Sequence, residues 1–134
     1  MDIKKEIEQL NRQKAASLVD DLLKSRDNIN GINYISTLVD MDASGMKNLA
    51  FELGSKLDDL FFIGGSDANG KAIMTVYISK GLSEKKGLDA GKIVRELGKF
   101  IQGGGGGQPF FATAGGKNPA GLKQALEESK NYLN

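Results

Sequence analysis

Neither cysteine nor histidine occurs anywhere in the 134 residues. Without cysteine there is no disulfide framework and no thiolate zinc site, a usage that fits a reducing, cytoplasmic location. Without histidine there is no Ser-His-Asp triad, no imidazole metal ligand and no side chain that titrates unaided near neutrality. A large charge of one sign is also missing: 18 Lys and Arg against 17 Asp and Glu leave a net charge of +1. Nucleic-acid binding would therefore depend on local clustering of cations, not on bulk charge. No apolar stretch approaches the ~20 residues of a membrane span, and the start "MDIKKEIEQLNRQ" is no signal peptide, so no membrane partner is expected.

What the chain has in quantity is glycine, 18 residues, five of them consecutive at 103–107. Such a run loses more conformational entropy on folding than any other of its length. Either it stays a linker, or something requires backbone that no side chain obstructs. Only 27 residues follow the run, too few to fold alone, which removes the linker reading. The length suits one domain, and a hydrophobic content of 40% with 26% charged residues is ordinary for a globular chain.

The periodicity predicts a helix over residues 2–27, with Ile3, Ile7, Leu10, Leu18 and Leu22 at helical steps and Lys14 interrupting the stripe. Its abrupt start after Met1 suggests the end of a longer helical region. Its apolar stripe would serve packing on its own domain or a homodimer contact. Asn30-Gly31 breaks it, and "INYISTLVDM" reads as a strand. Asp42 would cap a second helix with Met46, Leu49, Ala50, Leu53 and Leu57 on one side. "LFFIGG" and "AIMTVYIS" form a hairpin about "SDANGK". Residues 82–88 read as a polar loop. Asp89 would cap a third helix that buries Ile93, Val94, Leu97, Phe100 and Ile101. "PFFATA" is a short strand, and Asn118 with Pro119 opens the last helix. The order α-β-α-β-β-α-glycine run-β-α gives an α/β fold: a mixed β-sheet covered by helices, preceded by the long N-terminal helix. Residues 1–28 would form that helix and residues 29–134 the globular domain, with the glycine run as a loop.

Two phosphate-binding motifs fail against the glycines. A Walker A loop would need Gly where Phe111 stands and Ser or Thr at Asn118. The dinucleotide fingerprint must lead from strand to helix, whereas this run follows a helix, and Gln108 occupies the third glycine position. The carboxylates at Asp20-Asp21, Asp40, Asp42 and Asp58-Asp59 suit caps and solvated surface. Asp67-x-Asn69-Gly70 suits a turn, because it lacks the later Glu of a calcium loop. No catalytic or metal-ligating set emerges.

Cations do collect near the glycines. Lys92, Arg95 and Lys99 recur at i, i+3 and i+7 on the exposed side of the third helix, Lys117 and Lys123 belong to the last loop and helix, and Lys80, Lys85 and Lys86 flank the loop before the third helix. Together they would hold phosphates by charge, or they are simply solvated surface. An anion is expected at "GGKNP", before the positive end of the last helix, with the five glycines as a second backbone wall. In the other reading the glycines only permit close approach of strand and helix and a sharp turn. In either, glycine is expected because φ > 0 occurs at several positions, or because RNA or a neighbouring strand passes too closely for a Cβ.

The stretch "GGGGGQPFFATAGGKNPAGLKQAL" closely resembles the glycine-rich signature of the DHHA1-type domain at the C-terminus of alanyl-tRNA synthetases. "DASGMKNLAFELGSKL" and "LFFIGGSDANGKAIMTVYIS" fit the same domain in order. The resemblance implies a non-catalytic module that assists tRNA recognition for aminoacylation and editing, with tRNA, in particular tRNA-Ala, as partner. It implies RNA-binding roles for Gly103, Gly104, Gly105, Gly106, Gly107, Gln108, Gly115, Gly116, Lys117, Lys92, Arg95 and Lys99. Gln108 stands where the synthetase tail usually carries Arg, which removes one positive charge. No cofactor is expected in this chain; ATP, Mg and Zn would serve other parts of a parent alanine–tRNA ligase. Related domains accompany DHH phosphoesterases, so two alternatives stand beside the tRNA module: a dimerisation element, or a substrate-binding domain of such an esterase.

Overall fold

A computed structural model of the chain describes residues 20–38, 43–68 and 70–133. Helix α1 covers residues 20–25. The predicted N-terminal helix ends earlier than expected: Asp27 and Asn28 belong to a short strand, β1 (Asp27–Ile29), and not to the helix. Asn30 and Gly31 both take left-handed φ, 53° and 83°, the two-residue hairpin turn that such a pair favours. The turn folds β1 back onto β2 (Ile32–Leu38), and cross-strand pairing of Asp27 with Tyr34 wins over one more helical turn. The rest of that helix, residues 2–19, and the Asp42 cap lie outside the described residues.

The sheet has six strands in the order β1-β2-β3-β4-β6-β5. Its parallel pair is β2 with β3 (Leu60–Ala68), joined by α2 (Ala43–Lys56). A parallel neighbour demands such a crossover, and α2 supplies it. The remaining pairs are antiparallel: β3 with β4 (Lys71–Ile78), β4 with β6 (Phe111–Gly116), and β6 with β5 (Gly103–Gln108). The tight turn after β3 is held as its sequence suggests, with Gly70 N donating to Asp67 Oδ1 at 3.1 Å.

Alternation along the strands divides the core between the two faces. On one face Leu22, Ile35, Phe62 and Leu60 pack with Leu49, Ala50 and Leu53 of α2. On the other, Tyr34, Phe61, Ile63, Met74 and Val76 meet α4 (Ala90–Leu97) and α5 (Leu122–Glu128) through Ile93, Val94, Leu97 and Leu126. The buried Tyr34 hydroxyl donates to the Leu126 carbonyl at 2.9 Å and lies 2.8 Å from Ser129 Oγ, tying β2 to the C-terminal turn. This is the α/β arrangement of a mixed sheet between helices.

Three local expectations change. Residues 80–86 form a helix, α3 (Lys80–Lys86), not a polar loop: Leu82 is buried against the core, and Gly87, at φ 66°, ends the helix in the left-handed conformation. The glycine run is a paired strand, β5, not a loop. The last helix opens with a 3-10 turn, Pro119–Gly121, before α5. Asn118 makes no side-chain cap there; its Nδ2 reaches the Phe100 carbonyl at 3.4 Å, so tertiary contact wins over local capping.

Candidate nucleic-acid interface

β5 closes one edge of the sheet and lies against α4. The helix starts where Asp89 Oδ1 accepts a bond from Lys92 N at 3.2 Å, the N-cap expected from the sequence. It buries Ala90, Ile93, Val94 and Leu97 beneath the sheet and leaves Lys92 and Arg95 exposed. A 3-10 turn, Gly98–Ile101, continues it and carries the exposed Lys99. Ala90 N donates to the Pro109 carbonyl at 2.9 Å, so one end of α4 is fastened to the β5–β6 turn. At the other end Asn118 N donates to the Ile101 carbonyl at 2.9 Å, holding the loop after Gly116 on the 3-10 turn.

Within this frame the glycines divide by parity. A Cβ built on Gly103 would collide with the Gly115 carbonyl, and one on Gly105 with the Thr113 carbonyl; on Gly107 it would stand 2.6 Å from the Phe111 carbonyl oxygen. These obstacles are backbone, which cannot swing aside. Gly104 faces open space, and a Cβ on Gly106 would sit 3.7 Å from the Arg95 guanidinium. None of the five takes a left-handed φ. The residue that does so is Gln102, at φ 54°, just before the run. Lack of room, and not backbone handedness, accounts for glycine at 103, 105 and 107.

The structure brings most of the expected site residues to one edge. Gly103 pairs with Gly116 and Gly104 with Gly115, so two glycine segments lie side by side. Gly104, Gly115, Gln108 and Lys117 are exposed. The Arg95 guanidinium lies beside Gly106, and Lys92 and Lys99 directly follow Gly91 and Gly98, the residues that approach Gly107 and Gly103 at the two ends of β5. The result is an exposed strand edge of bare backbone with cations beside it. The "GGKNP" segment differs from expectation. Its Asn118 N is committed to the Ile101 carbonyl, and Gly121 N donates to Asn118 O at 3.1 Å. Those two amides are therefore already paired within the chain.

Gly91 of α4 and Gly98, which opens the 3-10 turn continuing it, escaped the sequence reading. A Cβ on either would stand 3.1 Å from a β5 carbonyl oxygen, that of Gly107 or of Gly103. Their seven-residue spacing was the available signal. Lys47, Phe51 and Phe111 were missed as a group as well: Phe51 stacks on Phe111 with centroids 5.4 Å apart, and Lys47 Nζ lies 6.0 Å from each ring centroid. No helix among the described residues is long and apolar enough to cross a membrane.

The family model for the DHHA1 domain matches residues 31–134. An alanine–tRNA ligase of Christiangramia forsetii is 53% identical over 133 residues, 99% of this chain and 15% of that protein. One from Bacteroides thetaiotaomicron is 48% identical over 127 residues, 94% of this chain and 14% of that protein. The chain thus spans only a small part of these relatives. Among solved structures, the C-Ala domain of alanyl-tRNA synthetase from Aquifex aeolicus superposes with a TM-score of 0.74 at 26% identity, covering 81% of this chain and 97% of that domain. The chain belongs to the DHHA1 domain family.

Proposed function

We propose that this chain is the tRNA-binding module of an alanine–tRNA ligase, assisting recognition for aminoacylation and editing and catalysing nothing by itself. The observation that carries the proposal is the row of Lys92, Arg95 and Lys99, all exposed, along the open edge of the glycine strand. The names of its relatives, alanine–tRNA ligases, support tRNA as the partner class, and tRNA-Ala is the member we propose. In this reading ATP, Mg and Zn chemistry belongs to other parts of the parent ligase, in the cytoplasm, and no cofactor is needed here.

Contacts of this kind are electrostatic and register-setting, and carry little sequence information. The module would therefore add affinity to a tRNA already selected elsewhere. Titrating the chain with tRNA-Ala and with an unrelated tRNA at two salt concentrations tests this, with sedimentation of the free chain alongside. Similar affinity for both tRNAs, falling steeply with salt, supports the reading. A chain that dimerises but binds neither tRNA is instead a dimerisation element.

A further inference from the structure

We propose a second RNA contact on the α2 side of the sheet, where Phe51 offers its ring as a stacking platform for an unpaired nucleobase and Lys47 receives the adjoining phosphate. The inference rests on the tRNA-binding reading and extends it around the β5–β6 hairpin.

Phe51 keeps 41% of its surface exposed, although it is one of the largest apolar side chains of α2. It is not a loose surface residue. The Phe111 ring stacks on it at 28°, and the Tyr77 ring meets it edge-on at 72°, each with centroids 5.4 Å away. The close seating of α2 makes this possible: a Cβ on Gly54 would collide with the Tyr77 hydroxyl. The exposed aromatic is thus held from two sides before anything binds, which lowers the ordering cost of stacking.

Charge decides the occupant. Lys47, one helical turn before Phe51, holds its ammonium 6.0 Å from the Phe51 and Phe111 centroids. An apolar protein surface docking here would have to desolvate that ammonium, whereas a nucleotide brings a π-face for the ring and a phosphate for the cation. Position agrees with charge, since Phe111 pairs directly with Gln108 at the end of the glycine strand. An RNA lying along β5 would reach the platform by following the hairpin.

The test uses the 134-residue chain with two probes, a short single-stranded oligoadenylate carrying 2-aminopurine and a blunt RNA duplex. The unsubstituted chain quenches the fluorophore by stacking. Phe51→Ala abolishes the quench and weakens oligonucleotide binding about tenfold, the scale of one lost base–aromatic stack. Its affinity for the duplex is unchanged, and Phe51→Tyr keeps both. Lys47→Gln, which leaves the rings in place, keeps the quench and flattens the salt dependence by about one phosphate contact. Oligonucleotide binding and quench unaltered by Phe51→Ala overturn the proposal while leaving the α4 edge standing. So does a Phe51→Ala variant whose only change is in self-association, which makes the patch a protein contact. Failure of the unsubstituted chain to bind either RNA overturns this proposal and the tRNA reading together.

Discussion

Gly91 of α4 lies so close to Gly107 of β5 that a Cβ on Gly91 would stand 3.1 Å from the Gly107 carbonyl oxygen. Gly98 stands in the same relation to Gly103, one strand-length away. The helix therefore rests on backbone at both ends of the glycine strand, and β6 crowds the strand from the other side. β5 has room for alternate side chains only, and this alternation separates positions needed by the fold from positions free for a ligand.

The first prediction follows from that alternation. Gly105→Ala must push the Thr113 and Ala114 backbone aside, an overpacking that costs about 2 kcal/mol or more. Gly104→Ala meets nothing and leaves stability unchanged or raised by about 0.5 kcal/mol, through the smaller entropy of the unfolded chain. Urea denaturation of the two variants checks the contrast. Equal losses at both positions would mean that β5 is not seated as described.

A second prediction concerns Gln102, whose φ of 54° places a Cβ-bearing residue in the left-handed region. Relief of that strain in Gln102→Gly stabilises the chain by about 1 kcal/mol. A higher denaturation midpoint with an unchanged slope is the expected result.

How far these features could be read in the sequence depended on whether side chains recorded them. α2 was legible because Met46, Leu49, Ala50 and Leu53 repeat at helical steps and are all buried. The β3–β4 hairpin was legible because a turn sequence separates two apolar runs. β5 was not, since strands are recognised from alternating side chains and a polyglycine strand has none. α3 was passed over because Leu82 is its one apolar residue, although Gly87 marked its end. β1 is three residues long and adjoins a strongly helical pattern, so the hairpin turn at Asn30-Gly31 was read as a helix stop and not as a strand reversal. The basic row on α4 was visible as spacing, and its alignment with β5 required the fold.

The third prediction is a pH dependence. The Tyr132 hydroxyl donates to the Glu96 carboxylate. Burial, that hydrogen bond and the charges of Glu96 and Glu128 raise its pKa above the ordinary tyrosine value. The folded chain then holds a proton that the unfolded chain releases. This contribution to stability is complete below about pH 10, the unfolded tyrosine value, and is lost as pH rises through the folded value. Tyr132→Phe should show a shallower alkaline loss of stability than the parent. Identical profiles for the two would remove Tyr132 from the account.

The central claim is that Lys92, Arg95 and Lys99 beside the glycine strand hold the tRNA backbone, and charge reversal at all three tests it most directly. All three are exposed, so the fold should survive substitution to Glu, as the thermal midpoint will report. Measured against tRNA across a salt series, the unsubstituted chain should give a log–log slope of about −3 to −5. The triple variant should lose most of its affinity for every tRNA, with a slope reduced by roughly the three lost contacts. A folded triple variant that keeps the parent's affinity and slope would contradict the account and move the RNA surface away from α4.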